Sequence, residues 1–278
     1  MIPCVFSIPK GRPMPKRQPT KSPLKDRPVR DAGQSLREQR ITIALDKVSV
    51  PLMWTFLFAA LAAQAWFYEL GISEPSPWAW TIIAGAALIF LVYRLAKYVP
   101  LVKRLRQAEA GERAVGQYLE RLREQGYQVF HDVVGEGFNV DHVLIGPAGV
   151  FTVETKTWSK PAKGEAKLRF DGQKITKAGF EPERNPVIQA RAQSSWLSTL
   201  LEETTGKRID VRPVIVFPGW YIESEQGASR GIWVLNPKAL PKFLDASEKT
   251  LSQSDIKLYS YHLSRIVRVR EAERGTHA

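Results

Sequence analysis

Two uninterrupted apolar runs dominate the first third of the chain. They are residues 51–70 (PLMWTFLFAALAAQAWFYEL) and 77–99 (PWAWTIIAGAALIFLVYRLAKYV). Neither carries a charge at its centre, and Arg94 and Lys97 fall in the last turns of the second. No polar stripe interrupts the apolar circumference, as it would on a helix lying against a soluble core. At ~1.5 Å per residue each run is long enough to cross a hydrocarbon layer of ~30 Å. Trp54, Trp66, Tyr68, Trp78, Trp80 and Tyr98 lie towards the ends, where interfacial aromatics belong. The pattern predicts a transmembrane helical hairpin over 51–99. A buried hairpin of a soluble domain is the competing reading.

The flanks differ from the hairpin and from each other. Residues 1–50 carry prolines at 3, 9, 13, 15, 19, 23 and 28 and are rich in Lys and Arg. Such spacing forbids a continuous helix and predicts a disordered basic arm. The connector 71–76 holds Glu74 and no Lys or Arg, whereas Lys103, Arg104 and Arg106 follow the second run. Positive charge on both outer flanks predicts cytoplasmic termini and a multi-pass protein of the bacterial inner membrane.

After residue 103 the periodicity becomes that of an α/β domain, expected over 103–245, with a C-terminal helix and tail over 246–278. Val115, Leu119 and Leu122 recur at helical spacing within 108–125, and Gly126 ends that helix. Strands are predicted at 127–134, 140–145 and 150–157, separated by the turn sequences GEGFN and GPAG. A polar hairpin over 167–176 turns on Asp171-Gly172. Asn185-Pro186 supplies an N-cap and a first-turn proline for a helix to about residue 203. The apolar run 212–217 (RPVIVF) reads as a buried strand and 231–235 as another. Asn236-Pro237 opens a short helix, and 252–270 forms the last.

Charge and chemistry then narrow the function. The chain has 278 residues and a formal net charge of +12, which suits nucleic acid or anionic lipid as partner. One cysteine, Cys4, excludes an intrachain disulfide and a Cys-rich zinc cluster. In the third predicted strand, alternation sends Val150, Thr152, Glu154 and Lys156 to one face. A carboxylate and an ammonium thus stand together in an otherwise apolar strand, where a charge is costly unless paired or metal-bound. Asp141 opens the preceding strand and reaches Glu154 if the hairpin register sets both on one face. His142 then faces the other way, as a core residue. Two carboxylates and a lysine suit phosphodiester hydrolysis, because hard oxygen ligands hold Mg²⁺ or Mn²⁺ and lysine stabilises charge on the phosphate.

Four blocks carry a family resemblance: GERAVGQYL (111–119), VDHVLIGPAGVFTVETK (140–156), NPVIQARAQ (185–193) and RPVIVFPGW (212–220). Together they resemble the nuclease-related (NERD) domain, a branch of the PD-(D/E)xK nuclease superfamily, over 108–235. The resemblance implies a restriction-endonuclease-like αβββαβ core with a mixed sheet. By that resemblance Glu112 is the acid of the first helix, Asp141 the metal-binding aspartate, Glu154 and Lys156 the E-x-K pair, and Gln189 the polar position of the following helix. Asp141 and Glu154 would hold Mg²⁺ or Mn²⁺, the substrate would be DNA, and a homodimer is among the expected assemblies. Val140 stands where the superfamily name has proline. Lys160, Lys163, Lys167, Arg184 and Arg191 are candidate phosphate contacts. A membrane-anchored nuclease and a non-catalytic nucleic-acid-binding or scaffolding protein with the same fold both remain open.

Overall fold

The computed structural model describes residues 30–70, 77–135, 137–161, 165–177 and 185–276. The loop 71–76, most of the basic arm, Lys163 and Arg184 lie outside the described residues.

Helix α1 (Gln34–Ile43) runs through a π-helical segment (Ala44–Ser49) into α2 (Val50–Glu69). The arm expected to be disordered over 1–50 is therefore helical from Gln34 onwards. Its last proline is Pro28, so no proline between Gln34 and Ser49 removes a helical hydrogen bond. Helix α3 (Pro77–Leu119) is a single element of 43 residues that contains Pro100 and continues into a 3₁₀ segment, Glu120–Gln125. The second apolar run and the expected domain helix 108–125 are one rod. Pro100 costs one backbone bond, and the leucines, lysines, arginines and alanines that follow are strong helix formers. Two helical stretches, Gln34–Glu69 and Thr81–Gln125, are long and apolar enough to cross a membrane, and their most apolar windows are only 11% and 6% buried. Ala62, Ala65 and Leu91 are buried between them. Trp66 donates to Thr81 Oγ1 at 2.9 Å, and Thr55 Oγ1 to the Ala87 carbonyl at 3.3 Å.

The rest is a mixed α/β domain. Strands β1 (Gln128–Val134), β2 (Asn139–Gly146) and β3 (Gly149–Thr155) form an antiparallel meander. A small second sheet takes β4 (Lys167–Phe170) and β5 (Ile175–Lys177). After α4 (Pro186–Thr205), β6 (Val211–Val216) joins β3 in parallel, giving the helix–three strands–helix–strand order. Strand β7 (Tyr221–Ser224), missing from the sequence pattern, completes the second sheet beside β4, and β8 (Trp233–Leu235) extends the first beside β6. Helices α5 (Leu240–Asp245) and α6 (Gln253–Thr276) close the chain. The resulting orders are β1-β2-β3-β6-β8 and β5-β4-β7.

Alternating side chains put the core on both faces of the large sheet. On one face Val115, Leu119 and Leu122 of the α3 rod, with Leu240 and Leu244, cover Leu144, Phe151 and Val153. On the other, Leu197 and Leu201 of α4 and Ile256, Leu263 and Val267 of α6 cover Val143, Ile145 and Val150. A third cluster joins the small sheet to the start of α4, through Leu168, Phe170, Val187, Phe217 and Trp220.

Candidate active site

The ladder between β2 and β3 pairs Val143 with Thr152 and His142 with Val153. Continuing it by one residue sets Asp141 opposite Glu154. Asp141 shares the parity of Val143 and Ile145, which pack towards α4 and α6; Glu154 shares that of Val150. The register that the sequence left conditional is thus met. Asp141 also reaches across the strand end, where its Oδ2 accepts the Thr155 N–H at 2.7 Å. The strand stops at Thr155 rather than Thr157, so Lys156 stands just past its end, with its own N–H on the Val216 carbonyl at 2.9 Å.

Glu154 is 3% exposed. A buried carboxylate requires partners, and α4 provides them. Asn185 caps the helix by accepting the Val187 N–H, with Pro186 in the first turn. One turn further in, Gln189 donates to Glu154 Oε1 at 2.8 Å, and Gln193 donates to Oε2 at 2.7 Å. Lys156 Nζ donates to the same Oε1 at 2.5 Å and to the side-chain oxygen Oε1 of Gln189 at 3.0 Å. Lysine, acid and two amides form one network. Gln193 was not singled out from the sequence, although Gln189 and Gln193 are four apart and share a helix face.

Glu112 comes to the same place from the α3 rod. Gly111 makes this possible: a Cβ there would sit 1.8 Å from Thr157 Cγ2, in the segment directly after Lys156. Burial first, then the neighbouring charges of Asp132 and Glu154, push the Glu112 carboxyl up to about 8. Asp141 is raised well above the usual carboxylate range, first by burial and then by Glu154 and Glu112; the Thr155 N–H and Lys156 pull it back only in part. Three carboxylates repel one another here, with Lys156 as the counter-charge. Asp132, also unflagged by the sequence, adds to the field; an acid within a strand of apolar residues was the signal available for it.

The opposite face of β2 carries no such chemistry. His142 is fully buried, its Nδ1 2.9 Å from His131 Nδ1, while His131 Nε2 lies 2.8 Å from Glu120. Burial pushes the His142 imidazole well below its ordinary range. Of the candidate phosphate contacts, Lys167 is paired with Glu223 at 3.0 Å and Arg191 donates to the Gly172 carbonyl at 3.3 Å. Trp220 and Trp233 pack in the core, as expected.

Among the described residues no group of three or more His, Cys, Asp or Glu side chains is placed so that it could hold a metal ion by itself. The donors present are carboxylate oxygens, mutually repelling, beside the buried Gln193 Oε1, which lacks a hydrogen-bond partner. Such a set fits a hard cation that keeps several waters, and does not fit tetrahedral zinc.

Residues 107–218 match the family model of the nuclease-related domain, a span that holds all five expected site residues and ends just after β6. An uncharacterized protein of Bacillus anthracis is 35% identical over 129 residues, which cover 44% of this chain and 58% of that relative. The match thus spans less than two thirds of the relative's own length. No solved structure matches the chain.

Proposed function

We propose that the nuclease-related domain of this chain is a divalent-metal-dependent nuclease that hydrolyses phosphodiester bonds in DNA, held at the bacterial inner membrane by its two apolar helices. The observation that carries this reading is the convergence of Asp141, Glu154 and Lys156, from two adjacent strands, on one face beside Gln189 and Gln193. Asp141 and Glu154 would hold Mg²⁺ or Mn²⁺, which lowers the pKa of a bound water and neutralises charge on the phosphate. Lys156, held beside Glu154 and Gln189, would stabilise negative charge on the phosphate oxygens. Gln189 bridges Lys156 and Glu154 and fixes the direction of both. Glu112 holds a proton at its carboxyl near neutral pH and can exchange it with the site. The net charge of +12 draws a polyanion to the domain. Basic flanks around the hairpin favour cytoplasmic termini, which put the site on the DNA side of the membrane.

One observation favours a second reading, a non-catalytic protein that binds nucleic acid or scaffolds a membrane complex with the same fold. Both Glu154 oxygens are already engaged, by Lys156, Gln189 and Gln193. Cleavage of end-labelled DNA by the full chain in detergent micelles, with and without Mg²⁺, separates the two. Metal-dependent cutting that disappears in Glu154→Ala and Lys156→Ala supports the nuclease. DNA binding that those changes leave intact, with no cutting under Mg²⁺ or Mn²⁺, supports the second reading.

A further inference from the structure

The segment ahead of the first apolar helix does not hang free of the domain. Arg30 is 5% exposed and donates from Nε to Asp132 Oδ2 at 2.8 Å. Ser35, in the first turn of α1, gives Asp132 its backbone N–H at 2.8 Å and its hydroxyl at 2.7 Å. Asp132 is 2% exposed and takes a φ of 50°, alone in this among the described non-glycine residues. Aspartate tolerates that conformation better than most side chains, but it is held only where the surroundings fix it. The β1–β2 register explains what is gained. With His131 on His142 and Val133 on Val140, Asp132 lies opposite Asp141.

From Asp132 the hydrogen bonds continue into the site. Asn139 Nδ2 donates to Asp132 Oδ1 at 3.1 Å and to Ser35 Oγ. The Asn139 carbonyl accepts Gln193 Nε2 at 3.0 Å, and that same nitrogen holds Glu154 Oε2 at 2.7 Å. The second apolar helix reaches the site by another route, since α3 itself carries Glu112. The two routes are braced together where Arg40 meets Glu109 at 2.9 Å.

We infer that Asp132 and Asn139 are positioning residues that fasten the segment before the first apolar helix to Glu154, so that the helical hairpin and the acids of the site move as one body. The inference rests on Glu154 being the working acid of the proposed site. An anchor serving attachment only would have no need of an acceptor whose neighbour also supports Gln193. A shift of the hairpin along or about its axis reaches Glu154 through α1 and Glu112 through α3, and changes the space between them.

The test uses the full chain in detergent micelles. Asn139→Ala cuts the connection while leaving the Arg30–Asp132 pair in place; Asp132→Asn cuts it nearer the hairpin. Hydrogen exchange read by mass spectrometry follows the peptides containing Thr155, whose N–H binds Asp141, and residues 189–193. Mn²⁺ affinity is measured alongside. Asn139→Ala is expected to speed exchange in both peptides about tenfold and to weaken Mn²⁺ binding about tenfold, with the melting temperature unchanged. A merely structural role would not separate affinity from melting in this way. Faster exchange confined to residues 30–43 and 132–139, with both site peptides as protected as in the wild type, overturns the inference. If Asp132→Asn fails to fold, Asn139→Ala decides. A wild-type protein with no Mn²⁺ affinity sinks the metal reading itself, and the exchange pattern still decides the connection.

Discussion

Asp141 and Glu154 stand opposite each other across the β2–β3 hairpin, one strand apart and on one face, and Lys156 offsets their mutual repulsion only in part. Neighbouring carboxylates in a buried setting are a cost to the fold, and the molecule keeps them. That cost is what the proposed cation would offset.

Removing one of the pair tests that directly. Asp141→Asn keeps the shape and an acceptor oxygen for the Thr155 N–H. Mn²⁺ affinity measured by calorimetry is expected to fall by about 100-fold or more, with the circular dichroism spectrum unchanged. Wild-type affinity in the variant would remove Asp141 from the site.

Glu112 predicts an unusual stability profile. Its folded carboxyl is raised from 4.5 to about 8, so between those values the folded state binds more protons than the unfolded state. Stability of the metal-free protein therefore falls as pH rises from about 5 to about 9. Glu112→Gln removes that loss. It is expected to raise the melting temperature at pH 9 and to leave it unchanged at pH 5, while DNA cleavage declines. Equal melting shifts at both pH values would show that Glu112 is not held protonated.

His142 works in the opposite direction. Its folded pKa lies well below the ordinary 6.5, so the unfolded state binds the extra proton. Stability is full above about pH 6.5 and is lost as pH falls below it. Thermal melts between pH 7 and pH 5 should show this decline, and His142→Gln should flatten it. An unchanged slope would assign the acid sensitivity to other groups.

Gly111→Ala separates propensity from packing. Alanine is the better helix former by about 1 kcal/mol, so an exposed glycine in α3 would gain stability from the change. Here the new Cβ would meet Thr157 Cγ2 at 1.8 Å, and overpacking costs about 1–3 kcal/mol. The melting temperature is expected to fall and metal-dependent cutting to weaken, because α3 must move outwards and carry Glu112 with it. A more stable variant would mean that helix and strand end are not in contact.

Topology is open to a simpler experiment. Protease added to intact cells is expected to leave residues 1–40 in place, since both flanks of the hairpin are basic and the connector is not. Removal of that arm from outside would reverse the orientation and put the site on the wrong face of the membrane for DNA.

The sequence by itself determined the two apolar spans, the order of helix, three strands, helix and strand, and the faces of the strands. Each of these depends on hydrophobic period and turn residues, which are local properties. Glu154 and Lys156 could be placed together from strand parity, Asp141 beside them only on condition of the hairpin register, and Gln189 from the family resemblance. Tertiary structure decided the rest. The second apolar run and the helix expected over 108–125 read as separate elements, but good helix formers on both sides of Pro100 carry α3 through it as one rod. Helix α1 holds its place through a buried Arg30–Asp132 pair more than a hundred positions apart in sequence, and no local pattern announces such a pair. Gln193 and Asp132 matter because of what faces them across strands and helices, and the second sheet exists because β7 returns to lie beside β4. Contacts between residues far apart in the chain are set by packing of whole elements, and that is information a period or a motif does not contain.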